Sequence, residues 1–180
     1  GDAGEQALAI TLSRLRKLVG AATVRRQAGH LSLDDSLCWV DCQALQRSIL
    51  AGAPAGSPAA CQSIKRLYQG DFLHGEGDAP WMLPLRERLH VGLIKTLCRG
   101  GEFALANQQV ELAAEFYELG LSIDDLVEAF HAGLMRCHLH NGQPSLAMMA
   151  YRRCRRTLWS HLSVAPCEAT TRLSLSAGNG

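Results

Sequence analysis

The sequence predicts a mostly α-helical protein, a helical array preceded by one further helix and a small β-hairpin. Three observations carry that prediction. Apolar residues recur at three-to-four spacing in most segments, β-prone sequence is confined to two short pieces flanking Ala28 and Gly29, and part of the C-terminal half repeats at a fixed shift. With 180 residues, of which 47% are apolar and 19% charged, the composition is that of an ordinary globular chain long enough to bury a sizeable core.

Leu8, Leu12, Leu15 and Leu18 or Val19 follow the acidic start at Asp2 and Glu5 and describe an amphipathic helix from Glu5 to Val19, ended by Gly20. Leu8, Leu12 and Leu15 are its expected core face. Thr11, Ser13, Arg14, Arg16 and Lys17 form the opposite strip. "TVRRQ" and "HLSL" then read as a hairpin with Gly29 at the turn. "LCWVDCQALQRSILAG" is a short apolar stretch, an Asp41 cap and a helix to about Ala51. "APAGSPAA" is a flexible joint through Gly52, Pro54, Gly56 and Pro58, and a helix covers Ala60 to Tyr68. After the loop "QGDFLHGEGDAP", Pro80 opens a long helix through Leu85, Leu89, Leu93 and Leu97, with a kink expected at Gly100 and Gly101.

A single shift superposes Leu105 on Leu139, Gln109 on Gln143, Leu112 on Leu146, Ala113 on Ala147 and Tyr117 on Tyr151. That shift is the tetratricopeptide period, in which a small residue permits close helix packing and an aromatic four positions later fills the space between repeats. Ala113 with Tyr117 and Ala147 with Tyr151 match those two roles. Such an array buries a continuous core and leaves a concave face that holds a protein or, less often, a small ligand.

The formal net charge is only +1, but the distribution runs basic, acidic, basic. Arg14, Arg16, Lys17, Arg25 and Arg26 stand together with no acid between Gln6 and Leu33. A segment charged so one-sidedly is either a solvated surface or meets something anionic, of which nucleic acid is the commonest. No Lys or Arg occurs from Gly100 to Met135, whereas Glu102, Glu111, Glu115, Glu118, Asp124, Asp125 and Glu128 all do; Asp124 and Asp125 are expected to open a helix. Arg152, Arg153, Arg155 and Arg156 then either pair with that acidic stretch, in the same chain or a neighbour, or make a second nucleic-acid contact.

The seven cysteines include no C-x-x-C pair and no even spacing, which suggests reduced thiols in a cytosolic protein. No signal peptide is visible and no apolar run reaches the roughly 20 residues of a membrane span, so a soluble cytoplasmic chain without a membrane role is expected. His138 and His140 point about 200° apart on a helix and do not converge on a metal ion. No Gly-rich phosphate loop, G-x-S-x-G or H-E-x-x-H is present, so neither enzymatic activity nor a cofactor is expected. Trp39, Trp81 and Trp159 are expected to lock the array through large apolar contacts.

Together "CWVD" (Cys38 to Asp41), "LYQGDFL" (Leu67 to Leu73), "GDAPWMLPLRERL" (Gly77 to Leu89), "GLMRC" (Gly133 to Cys137), "AYRRCRRTL" (Ala150 to Leu158) and the closing "SVAPCEATTRL" resemble the bacterial transcriptional activator domain. In antibiotic-regulatory-type activators that domain lies beside a winged-helix DNA-binding domain. The resemblance implies an activator domain over 37–175, a disordered tail over 176–180, and in 1–36 the C-terminal part of a winged helix, its recognition helix in "LAITLSRLRKLV" and its wing in "VRRQAGHLSL". It further implies that Thr11, Ser13, Arg14 and Arg16 face the groove of DNA, and that Lys17 with Arg25 or Arg26 meets phosphates. The strands and helices that precede a recognition helix are absent, so the sequence reads as a fragment of a regulator. Its array would mediate self-association, RNA polymerase contact or signal input; a small-effector sensor and an interaction scaffold unrelated to transcription are the alternatives.

Overall fold

The computed structural model describes residues 2–50, 57–73, 75 and 79–178 and divides into two compact units, residues 1–44 and 45–180. The first unit opens with helix α1 (Asp2–Val19). Gly20 stops it with φ 99°, donating its N–H to the Arg16 carbonyl at 2.9 Å. A 3-10 turn (Ala21–Thr23) leads into strands β1 (Val24–Gln27) and β2 (His30–Leu33), antiparallel in the register Val24 to Leu33 and Gln27 to His30. Ala28 and Gly29, at φ 48° and 80°, make the two-residue turn whose twist suits a hairpin. The Thr23 hydroxyl donates to the Val19 carbonyl at 2.7 Å and ties the turn to the helix end. The expected core face is not buried: Leu8 is 55% exposed and Leu15 37%, with Leu12 half-buried. The turn and hairpin join α1 near its last turn, which leaves the earlier leucines uncovered within this unit.

Helix α2 (Asp41–Leu50) starts in the first unit and continues into the second, which adds α3 (Pro58–Leu67), α4 (Leu83–Ala106), α5 (Val110–Ile123), α6 (Glu128–His140), α7 (Pro144–Leu162) and α8 (Glu168–Gly178). Each helix from α4 onward packs on the next, with α3 also against α5 and α8 also against α6. The fold is therefore mostly helical, with one small antiparallel hairpin near its start. Leu93, Leu97, Phe116, Tyr117, Phe130 and Met135 form the centre of the core. Residues 51–56, most of the expected joint, lie outside the described residues; Pro58 sits in the first turn of α3, where the Ser57 hydroxyl accepts the Ala60 N–H at 3.2 Å.

The repeat seen in the sequence is present in backbone geometry. The Gln109 N–H donates to the Ala104 carbonyl at 2.9 Å and the Gln108 N–H to Leu105 at 3.0 Å; at the equivalent positions of the next repeat, Gln143 donates to His138 at 2.8 Å and Gly142 to Leu139 at 3.1 Å. Both sets are the paired carbonyl caps of a Schellman helix end. Ala113 and Ala147 are fully buried, Tyr117 is buried and Tyr151 half-buried.

Four further expectations are corrected. The long helix starts at Leu83 with Pro84, not Pro80, in its first turn. Gly100 and Gly101 lie inside this helix without interrupting it. They let rings lie on its backbone, since a Cβ on Gly100 would stand 2.6 Å from Phe116 Cε1 and one on Gly101 2.5 Å from Tyr117 Cζ. Asp124 ends α5 instead of opening a helix: its carboxylate accepts the Leu126 N–H at 2.9 Å and lies 3.0 Å from His90 Nε2, and α6 begins at Glu128. Trp39, Trp81 and Trp159 are 69%, 69% and 65% exposed, so the array is locked by Phe116, Tyr117 and Phe130 instead. Residues 176–178 are the last turn of α8, not a tail, because Ala177 packs against Met135 and Ala147; residues 179 and 180 lie outside the described residues.

Candidate functional site

Helical spacing brings Gln6, Ile10, Ser13, Arg14 and Lys17 onto one side of α1, and Ser13, Arg14 and Lys17 are all exposed. Thr11 is also exposed, its hydroxyl donating to the Ala7 carbonyl at 2.9 Å. Arg16 lies elsewhere. It is half-buried, donates through Nη2 to the Val24 carbonyl at 3.4 Å, and its buried Nε has no partner among the described residues.

On the hairpin, neighbouring Arg25 and Arg26 point to opposite faces, opposite Ser32 and Leu31. Arg25 pairs with Asp34, whose side chain is only 8% exposed. The Asp34 carboxylate also accepts the Ser36 N–H at 3.0 Å and the Ser36 hydroxyl at 2.7 Å. Those Ser36 hydrogen bonds first, with Arg25 adding to them, hold the carboxyl below its ordinary range. Among the described residues Arg14, Lys17 and Arg26 make no ion pair, so this unit presents uncompensated positive charge on both helix and hairpin.

The second basic cluster sits on the array. Arg152, Arg153 and Arg156 project from α7 over a groove of about 460 Å³ between α6 and α7, floored by Leu134, Leu146 and Met149. These arginines and Arg155 make no ion pair with the acidic stretch among the described residues, and Glu111, Glu115 and Glu118 stand exposed along α5. His131 also lines the groove and is fully buried, with Nε2 2.9 Å from the Asp125 carbonyl. A carbonyl only accepts, so Nε2 carries the proton; burial holds the ring pKa below its usual 6.5 and keeps it neutral. Nearby, burial pushes the Glu128 carboxyl up, but hydrogen bonds from Thr170 and Cys167 outweigh it and leave the pKa lowered. Its bond to the Cys167 N–H, at 2.8 Å, ties α6 to the start of α8.

Burial raises the thiols of Cys42, Cys61 and Cys98, and pushes Cys137 up to about 11 and Cys154 up to about 12, far from a reactive thiolate. All seven cysteines are free. Among the described residues no three His, Cys, Asp or Glu side chains gather as a metal site, and no helix is long and apolar enough to cross a membrane. His138 faces Gln143, at 3.4 Å from its amide oxygen.

The model of the bacterial transcriptional activator domain matches residues 37–176, from just before α2 to the last turns of α8. The chain belongs to that family. The activator domain is a transcription-regulator domain and not an enzyme family. Here it accounts for the helical array, while α1 and the hairpin precede the match. No curated protein matches the chain.

Two features of this activator domain and its basic extension were missed in the sequence. The groove has a visible signal: Leu146, Met149, Arg153 and Arg156 recur at helical spacing. The turning-in of Arg16 has none, because Arg14 and Arg16 look alike until the hairpin is placed.

Proposed function

We propose that this protein is a DNA-binding transcriptional regulator in which α1 and the β1–β2 hairpin are the recognition helix and wing of a winged helix and the activator domain supplies the regulatory contacts. The observation that carries this reading is the exposed strip of Thr11, Ser13, Arg14 and Lys17 adjoining a hairpin that carries Arg26, with none of these cations in an ion pair among the described residues. Thr11, Ser13 and Arg14 read base edges, Lys17 and Arg26 neutralise phosphate, and Arg25 divides its charge between Asp34 and the backbone of DNA. Arg16 braces the hairpin. The exposed leucines of α1 are where the remainder of a winged helix, or a second copy of the chain, would pack. The array is the surface for self-association or RNA polymerase contact.

Selection from a random duplex pool, followed by anisotropy across a salt series, tests this. A selected motif that Arg14→Ala relaxes at one position by about 1–3 kcal/mol supports base reading, and Lys17→Ala should reduce the salt slope by about one. A pool that shows no enrichment, or binding that Arg14→Ala and Lys17→Ala leave unchanged, overturns it.

A further inference from the structure

We propose that the groove between α6 and α7 binds an acidic, amphipathic helical segment of a partner protein. The groove has an uncharged floor and a cationic edge. Leu146 and Met149, at 40% and 62% exposure, leave apolar surface uncovered, and His131, which also lines the groove, is fully buried with Nε2 2.9 Å from the Asp125 carbonyl. Arg152, Arg153 and Arg156 stand above it and form no ion pair among the described residues. Leu146 to Arg156 spans about 15 Å of α7, the length of some three helical turns. An occupant that covers leucine and methionine with apolar groups while meeting arginines one turn apart carries both kinds of residue at helical spacing.

Other occupants fit less well. A second copy offers Glu111, Glu115 and Glu118 on α5, but that helix has no exposed large apolar side chain to lay on the floor. A DNA backbone would satisfy the arginines and leave Leu146 and Met149 against phosphate and water. This inference does not rest on DNA binding by α1.

The test is fluorescence anisotropy of a labelled synthetic helical peptide carrying a leucine stripe flanked by glutamates. A scrambled peptide of the same composition and a short DNA duplex serve as comparators. The amphipathic peptide should bind about tenfold more tightly than the scrambled one. The double substitution Arg153→Glu with Arg156→Glu, and separately Met149→Glu, should each weaken it about tenfold, whereas Arg155→Glu outside the groove should change it less than about twofold. All these side chains are exposed, and circular dichroism checks that the variants stay folded. Equal binding of the scrambled peptide, displacement by the duplex, indifference to Met149→Glu, or no binding at all overturns the proposal.

Discussion

Gln108 and Gly142, one repeat apart, occupy the same left-handed backbone conformation at φ 60° and 66° and close equivalent helix ends. One position has the residue that such a conformation favours and the other does not. Gly142 has no neighbour within 4 Å of where a Cβ would stand, so its requirement is conformational and not steric. Gln108→Gly should therefore raise stability by about 0.5–1 kcal/mol and Gly142→Ala should lower it by about 1 kcal/mol. Urea denaturation of the two variants, with unchanged slope, checks the opposite signs.

Tyr117 lies between two glycine backbones. A Cβ on Gly133 would stand 2.4 Å from its Cζ, as one on Gly101 would at 2.5 Å. The ring is buried and cannot swing into solvent, so Gly133→Ala should cost about 1–3 kcal/mol through overpacking. Tyr117→Phe removes only a hydroxyl whose long contact to Arg136 is 3.5 Å, and should cost less than about 1 kcal/mol. Thermal melts of both variants separate ring packing from the hydroxyl.

Acidification should weaken the array before it weakens the hairpin. His131 has a folded pKa below its ordinary 6.5, so the unfolded chain takes up the proton first; stability is full above about pH 6.5 and declines as pH falls through the folded value. Asp34, lowered from 3.8, follows the same sign in a more acidic window. His131→Gln should flatten the decline that sets in below about pH 6.5, measured by melting temperature. An unchanged profile would remove His131 as its source.

Arg14 and Arg16, close neighbours on α1, should respond in opposite ways. Arg14 is exposed and makes no ion pair among the described residues, so Arg14→Ala should leave stability within about 0.5 kcal/mol. Arg16→Ala removes the bond to the Val24 carbonyl and should loosen the hairpin, seen as faster hydrogen exchange of the β1 and β2 amides. DNA binding, if lost through Arg16→Ala, should then track that loosening.

Local rules were sufficient for much of this. Gly20 as a helix stop, Ala28 and Gly29 as a hairpin turn, and the Ala113 and Ala147 packing positions are each decided within a few residues, and the sequence states them directly. Trp39, Trp81 and Trp159 went the other way because hydrophobicity says only that burial is favourable, not that a partner surface is available.

By itself the sequence determined the helical class, the hairpin, the repeat period and the family, since these follow from spacing, turn chemistry and motif order. Only the tertiary structure decided that Arg16 turns inward while Arg14 faces out, that Gly100 and Gly101 seat aromatic rings, and that three arginines overhang an apolar groove. The physical reason is the same each time. Periodicity assigns a side chain to a face of its own helix, and what that face meets is set by residues distant in the chain.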